Sequence, residues 1–453
     1  MTNRIIQYIF ISCFFWVILF AVSSCRAQDL DYLPDFSSQD RVMVFAPHPD
    51  DEAIGAGGVL QKAVEAGAKV KVVCFTNGDA NQLAFMVYEK RFTFRKGEFF
   101  HMGQVRKEET IAAMRSLGIA PSDVIFLGYP DFGTMAILLR YWDPKKPYRS
   151  ILAKMTKVSY PAALSPNAPY AGPSILKDLK KVVSDFKPTK IFVSHPADTN
   201  GDHRALYVFL RVALWDLNLK FDDLTFLPYI IHVPKWPRPR GYRPERNLLP
   251  PSGYPGIKWL KVDLSPDEVE AKKNAISFYR SQIDYIPWYL VSFARKNEIF
   301  GDYDSVQLKD EEDGDIHWQN IDIVEMPSDS YDAISSLAYA RKGFDLWVKI
   351  TLKKIFSKKT GVVITLLGYK KDEDFTRMPK TRVAIGFFGL KVKDKDKTIS
   401  KKGIYFAHAG KTIIVKVPLV RLGLPEKILS CAKASGFSFG ETAWRVLELE
   451  DHE

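Results

Sequence analysis

Arg41–Gly58 reads RVMVFAPHPDDEAIGAGG: five apolar residues lead straight into His48, Asp50, Asp51 and Glu52, and three glycines follow at 55, 57 and 58. Imidazole and carboxylate donors in this order suit a divalent cation. A catalytic zinc takes about three protein ligands from His, Asp or Glu and keeps one position for water. The cation lowers the pKa of that water to about 7, and a neighbouring carboxylate can accept the proton. His48 and Asp51 stand three residues apart and converge if the loop turns, and Asp50 between them is placed to act as general base. Glu52 falls at a helix start, where a carboxylate is favoured by the helix dipole. The third ligand must come from elsewhere. The loop after KIFVS (190–194) offers His195 and His203. The bland alternative for His48 and Asp51 is a capping cluster.

These residues need elements to position them. RVMVFA, KVKVVCFT, DVIFLG and KIFVSH read as strands. AGGVLQKAVEAG, QVRKEETIAAMRSLG, SILKDLKKVVSDF and HRALYVFLRVALWDL read as helices. The alternation over about 41–303 predicts an open parallel sheet covered on both faces, a Rossmann-like α/β fold, in which ligands bind beyond the carboxyl ends of the strands. PHPDDE, NGD, YPDFGT and HPADTNGDH each follow a strand, so the reactive residues gather on one edge of that sheet. Residues 80–100 and 141–172 are long insertions rich in aromatic and basic residues, the kind that form lids. From about Pro327, FDLWVKITL, GVVITLLGY, RVAIGFFGLKV, GIYFAHAG and KTIIVKVPL predict an all-β sandwich.

APHPDDEAIGAGG resembles the signature of the PIG-L/LmbE-like zinc-dependent N-acetylglucosaminyl deacetylase family. TNGD (76–79), RKEET (106–110), LGYPDFGT (127–134), DTNGDHRA (198–205) and the Ser281-Gln282 pair look like family elements in order. The resemblance implies a Rossmann-like fold, one zinc ion held by His48, Asp51 and His203, and Asp50 as general base. Arg106 and Asp131 become candidate substrate contacts. Their bland alternatives are a pairing of Arg106 with Glu108 or Glu109 on its own helix, and a turn residue or ligand support at Asp131. The family usually reads His-Pro-Asp-His at its last site. This chain has Asn200-Gly201-Asp202-His203, so Asn200 stands where the family's histidine helps to stabilise the tetrahedral intermediate. An amide can donate to an oxyanion but cannot carry a proton. His195 is the other residue that can fill the gap, or it is a satisfied histidine at a strand end. His101, His232, His317 and His408 read as structural or surface residues.

The expected activity is hydrolysis of the N-acetyl group of an amino sugar in a cell-envelope or extracellular glycan or glycolipid. The alternatives are a zinc amidase or esterase acting on a non-acetyl substrate, and a non-catalytic glycan-binding protein with a vestigial metal site. Another divalent metal could occupy the same donors.

The 453 residues suit two folded units, and 46% hydrophobic residues exclude a disordered chain. The organisation expected is an export signal over 1–27, a deacetylase unit over 38–310 and a basic β unit over 327–453. Residues 1–28 combine Arg4 with an apolar run and small residues. This reads as a lipoprotein signal ending before Cys25, as a signal cleaved before Gln28, or as a retained anchor. The protein is thus expected to be exported. Residues 327–453 hold 24 Lys+Arg against 14 Asp+Glu, a surplus of ten in a chain of net charge +11. That surplus suits an anionic polymer or membrane surface, or simply a solvated face. Nucleic acid is not expected, since no recognition motif is visible. Cys74 and Cys431 could pair, although four cysteines make no disulfide framework.

Overall fold

In Arg41–Ala46 (β1) every residue after Arg41 is fully buried, as a strand covered on both faces must be. The computed structural model describes residues 30–90, 97–219, 224–310, 316–321, 323, 334–435 and 441–450. The leader-like segment lies outside them, and no helix among the described residues is long and apolar enough to cross a membrane.

β1 pairs in parallel with Lys69–Thr76 (β2), which pairs with Val124–Tyr129 (β3). On its other side β1 pairs with Lys190–Ser194 (β4), and β4 with Thr225–Tyr229 (β5), again in parallel. The order is therefore β3-β2-β1-β4-β5. The chain leaves β1 in one direction and returns on its other side at β4, so a crevice opens beyond the carboxyl ends of these two strands. The faces follow the period of two. Val42, Val44 and Ala46 join a core with Asp51–Glu65 (α1), Glu98–Ser116 (α2) and Pro266–Ser277 (α6). Met43 and Phe45 join a second core with Thr134–Arg140 (α3), Gly172–Phe186 (α4) and Gly201–Asp216 (α5). Against this unit lies a small sheet in which Ile257–Asp263 (β6) pairs antiparallel with Asn297–Tyr303 (β7).

The insertions pack on each other beside the sheet edge. Phe100 stacks on Tyr160 at 4.8 Å, and the Tyr160 hydroxyl donates to Asp79 at 2.7 Å. Residues 91–96 of the first insertion lie outside the described residues. Cys74 and Cys431 are both buried and free, so they do not form a bridge.

The C-terminal region is β-rich. A five-stranded and a seven-stranded sheet share one hydrophobic cluster, in which Leu337, Val348 and Ile350 meet Ile364, Val383 and Ala432. The seven-stranded sheet ends on Val306–Leu308 (β8), which runs parallel to Arg445–Leu449. The sequence reading places residues 306–308 in the first unit; their backbone instead completes the sheet of the second. The two units share a core: Trp142 meets Phe375 at 5.3 Å, Trp215 meets Tyr369 at 4.9 Å, and Arg204 pairs with Glu441 at 3.1 Å.

Candidate metal centre

β1 ends at Ala46, and the chain turns through His48-Pro49-Asp50 into α1. Asp50 sits at the helix N-cap with φ 115°, a conformation that a residue with a Cβ adopts only at a cost. The next turn over-determines it. The Asp50 carbonyl accepts from the N–H groups of Ala53 (3.1 Å) and Ile54 (3.0 Å), and its N–H donates to Glu52 at 3.2 Å. Arg106 of α2 donates to the Pro49 carbonyl (2.5 Å), the Gly78 carbonyl (2.9 Å) and the Asp50 carboxylate (3.3 Å). Asp51 lands in the first turn of α1, its carboxylate accepting from the His48 N–H at 2.9 Å.

The glycines act next. α1 is broken at Ala56 (φ −144°). A Cβ on Gly55 would lie 2.5 Å from the Tyr229 ring, and one on Gly58 2.5 Å from Leu264, so only glycine admits these close approaches. The backbone groups released by the break find a buried ion pair. Glu298 accepts from the N–H groups of Gly58 (2.7 Å) and Val59 (2.9 Å), while Lys272 donates to the Ile54 carbonyl (2.9 Å) and pairs with Glu298. Glu52 is fully buried, and accepts from the Tyr279 hydroxyl.

β4 and α5 bring the third donor. His203 lies in the first turn of α5, with Nε2 3.0 Å from Asp51 and Nδ1 3.2 Å from Asp198. His48 Nδ1 lies 3.2 Å from Asp51, and its Nε2 lies 3.2 Å from Asp131 and 3.4 Å from Asp202. Ligand atoms of His48, Asp51 and His203 lie within 4.8 Å of one another, as do those of His48, Asp131 and Asp202. Both ring nitrogens of His203 are buried and close to carboxylate oxygens, yet neither makes a hydrogen bond. Two imidazoles that converge on one carboxylate have the donor set and spacing of a divalent cation site. The residues fit a metal.

Burial alone would lower the His48 pKa, but the carboxylates of Asp131, Asp202 and Asp51 hold it well above the ordinary value. His203 goes from 6.5 to about 9, the charges of Asp198 and Asp51 overcoming burial. Burial pushes Asp50 up to about 8 against the pull of Arg106, with Asp51 and Glu52 adding to the rise.

The remaining residues singled out in the sequence fall as follows. His195 is fully buried behind β4. Its Nδ1 accepts from the Ala197 N–H at 3.0 Å, and its ring stacks on Trp259 at 5.7 Å. The structure does not bring it to the cluster, and it fills no gap there, because a shell of Trp259 and Tyr303 encloses it. Asn200 is the N-cap of α5 and accepts from the Asp202 N–H at 2.8 Å. Asp131 is buried against His48 and accepts from the Ala80 N–H at 3.0 Å, so it supports a ligand. Arg106 pairs with neither Glu108 nor Glu109. It spans the two loops, and Glu109 accepts from Ser281 instead.

Sequence reasoning assigned no role to Asp198 or Asp202 and read His232 as a structural or surface residue. Asp198 accepts from the N–H groups of Ile231 (3.1 Å) and His232 (2.9 Å) while facing His203. Asp202 accepts from the N–H groups of Phe132 (2.6 Å) and Thr134 (3.0 Å), capping α3. The His232 ring meets His203 at 4.6 Å. Acids within an Asp-x3-Asp-His helix start are a signal for Asp198 and Asp202; nothing local points to His232.

The family model described as "GlcNAc-PI de-N-acetylase" (PIG-L) matches residues 43–214. The chain is 33% identical over 91 residues to a probable N-acetyl-alpha-D-glucosaminyl L-malate deacetylase 2 of Bacillus cereus, a match covering 20% of this chain and 37% of that protein. Among solved structures it is similar to the N,N'-diacetylchitobiose deacetylase of Pyrococcus horikoshii (21% identity, 54% of this chain and 70% of that one, TM-score 0.33). It is also similar to the 4-carboxy-2-hydroxymuconate hydratase of Pseudomonas putida (17% identity, 55% and 83%, TM-score 0.34). The residues that match the PIG-L family model, 43–214, hold the signature loop, four of the five parallel strands and the donor cluster, and a β-rich region follows further along the chain.

Proposed function

We propose that the protein is a zinc-dependent hydrolase that removes the N-acetyl group of an amino sugar in an exported, cell-envelope glycan or glycolipid. The observation that carries this reading is the convergence of His48, Asp51 and His203 on one point with Asp50 held beside it. Those three residues would hold the metal, which supplies a Lewis acid for the amide oxygen and an acidified water. Asp50 takes the proton from the attacking water and passes it to the amine that leaves. Arg106 keeps the Asp50 carboxylate aimed by holding both it and the Pro49 carbonyl. Asp131 and Asp198 fix the rings of His48 and His203, as carboxylates behind ligating histidines do. The half-buried Asn200 keeps its amide N–H groups for an oxyanion, its oxygen being used in the cap. We read the two C-terminal sheets as a β-sandwich that keeps the domain near a polymeric or membrane-bound substrate.

The test joins two readings on residues 30–453: elemental analysis for metal, and acetate release from N-acetylglucosamine oligomers and glycolipids. One zinc per chain with acetate release is expected. Zinc without acetate would move the assignment to an amidase or esterase for another acyl group, and absence of any metal would overturn it.

A further inference from the structure

Three turns meet at one end of the C-terminal sheets: residues 353–359 (KKIFSKK), 386–389 (GFFG) and 408–411 (HAGK). Phe356, Phe387 and His408 clasp them together, with centroids 5.9 Å (Phe356–Phe387), 5.1 Å (Phe356–His408) and 4.8 Å (Phe387–His408) apart. The Phe356 N–H donates to the Gly410 carbonyl at 2.9 Å. The chain neighbours of two of these anchors have the opposite fate. Phe388 is 80% exposed and Ile355 is 68% exposed. Around them stand Lys353, Lys354, Lys358, Lys359 and Lys411, all exposed, and the three turns contain no Asp or Glu. The Lys358 ammonium lies 5.1 Å from the Phe388 ring centroid.

We propose that this end of the β-rich region docks on an anionic lipid surface, with Phe388 and Ile355 entering the headgroup layer. A single exposed apolar residue needs no explanation. Two at the tips of adjoining turns, on a rigid aromatic clasp and beside five exposed lysines of the same turns, form an amphipathic end. A phenyl ring and a branched alkyl group leave water at the boundary of headgroup and acyl chain. Lysines lay their stems along apolar surface and keep the ammonium at the phosphates. A negatively charged leaflet attracts each such charge within about a Debye length. A soluble polyanion would be matched by the lysines alone and would leave Phe388 and Ile355 in water, so the apolar tips favour lipid. This inference goes beyond the proposed activity and does not depend on it.

The test uses residues 30–453, because the apolar run in residues 1–28 would itself seek lipid. The protein is sedimented with vesicles of phosphatidylcholine alone and of phosphatidylcholine with phosphatidylglycerol. Binding is expected to the anionic vesicles only, and to weaken as salt rises from about 0.1 M to about 1 M. The double variant Phe388→Ser/Ile355→Ser and the double variant Lys353→Glu/Lys358→Glu should each bind at least about tenfold more weakly, with unchanged thermal unfolding because all four sites are exposed. A polarity-sensitive dye on Phe388→Cys should shift to the blue on anionic vesicles only. Equal binding to both vesicle types, no binding, or binding untouched by the substitutions would overturn the proposal. So would retention by a soluble polyphosphate with no dye shift on vesicles, which would make the surface a polymer-binding one.

Discussion

Asp50 is held at φ 115° in a part-buried place where desolvation pushes its carboxyl up to about 8, so its position is costly twice over. Such strain at a reactive residue persists because the surroundings enforce it. Asp50→Asn tolerates the same backbone and should keep the metal by elemental analysis, while acetate release falls by about 10²–10⁴-fold. Asp50→Gly should be equally inactive yet more stable by about 1–2 kcal/mol in urea titration, since glycine adopts positive φ freely. His195 makes a different prediction. Burial lowers its pKa from 6.5 to about 3, and its Nδ1 must stay an acceptor for the Ala197 N–H. The folded form holds the ring neutral, while the unfolded chain takes up a proton below about 6.5. The stability contribution is therefore full above that pH and is lost progressively as pH falls towards 3, by up to about 1.4 kcal/mol per pH unit. His195→Gln should flatten that part of the acid slope of denaturant-measured stability. The sequence made His48, Asp50 and Asp51 legible, because a strand end followed by His-x-Asp-Asp is a local pattern, while His203 was singled out from His195 only by the resemblance of DTNGDHRA to a family element. It left His195 open between two roles, because the enclosing Trp259 and Tyr303 come from distant strands.

At the level of elements, α1 is broken at Ala56, five residues after Asp51. The Lys272–Glu298 pair substitutes for the helix's own hydrogen bonds, with both side chains essentially unexposed. Removing one partner of a buried pair costs about 3–5 kcal/mol, because the other is left charged without compensation. Lys272→Met should show that loss in thermal or urea unfolding and should also weaken metal affinity, measured by competition with a chelator. The double variant Lys272→Met/Glu298→Met should recover part of the stability, but not the metal affinity, since the N–H groups of Gly58 and Val59 then lack an acceptor. The βαβ alternation and the glycine-rich helix start were readable from period and composition. The break was not, because its partners lie on α6 and β7, more than two hundred residues further along the chain.

For the whole molecule, the basic surplus of residues 327–453 was visible in the sequence, but the shared core was not. Trp142, Phe375 and Trp444 have the same apolar character whether a neighbour in their own unit or one in the other covers them. Phe375 is buried against Trp142 across the boundary, so Phe375→Ala should cost about 3–5 kcal/mol and, measured calorimetrically, should split one unfolding transition into two. The placement of β8 carries this union into heredity. Only Asp304 and Ser305 separate β7, the last strand of the first unit, from β8, whose Val306–Leu308 backbone closes the edge of the seven-stranded sheet. A crossover between genes just after β7 would strip the β-rich unit of a strand and bare an edge to other chains. One placed after β8 would leave the first unit trailing an unpaired strand. Neither breakpoint yields two intact modules, so shuffling should have preserved these units as a single inherited block rather than as parts traded separately.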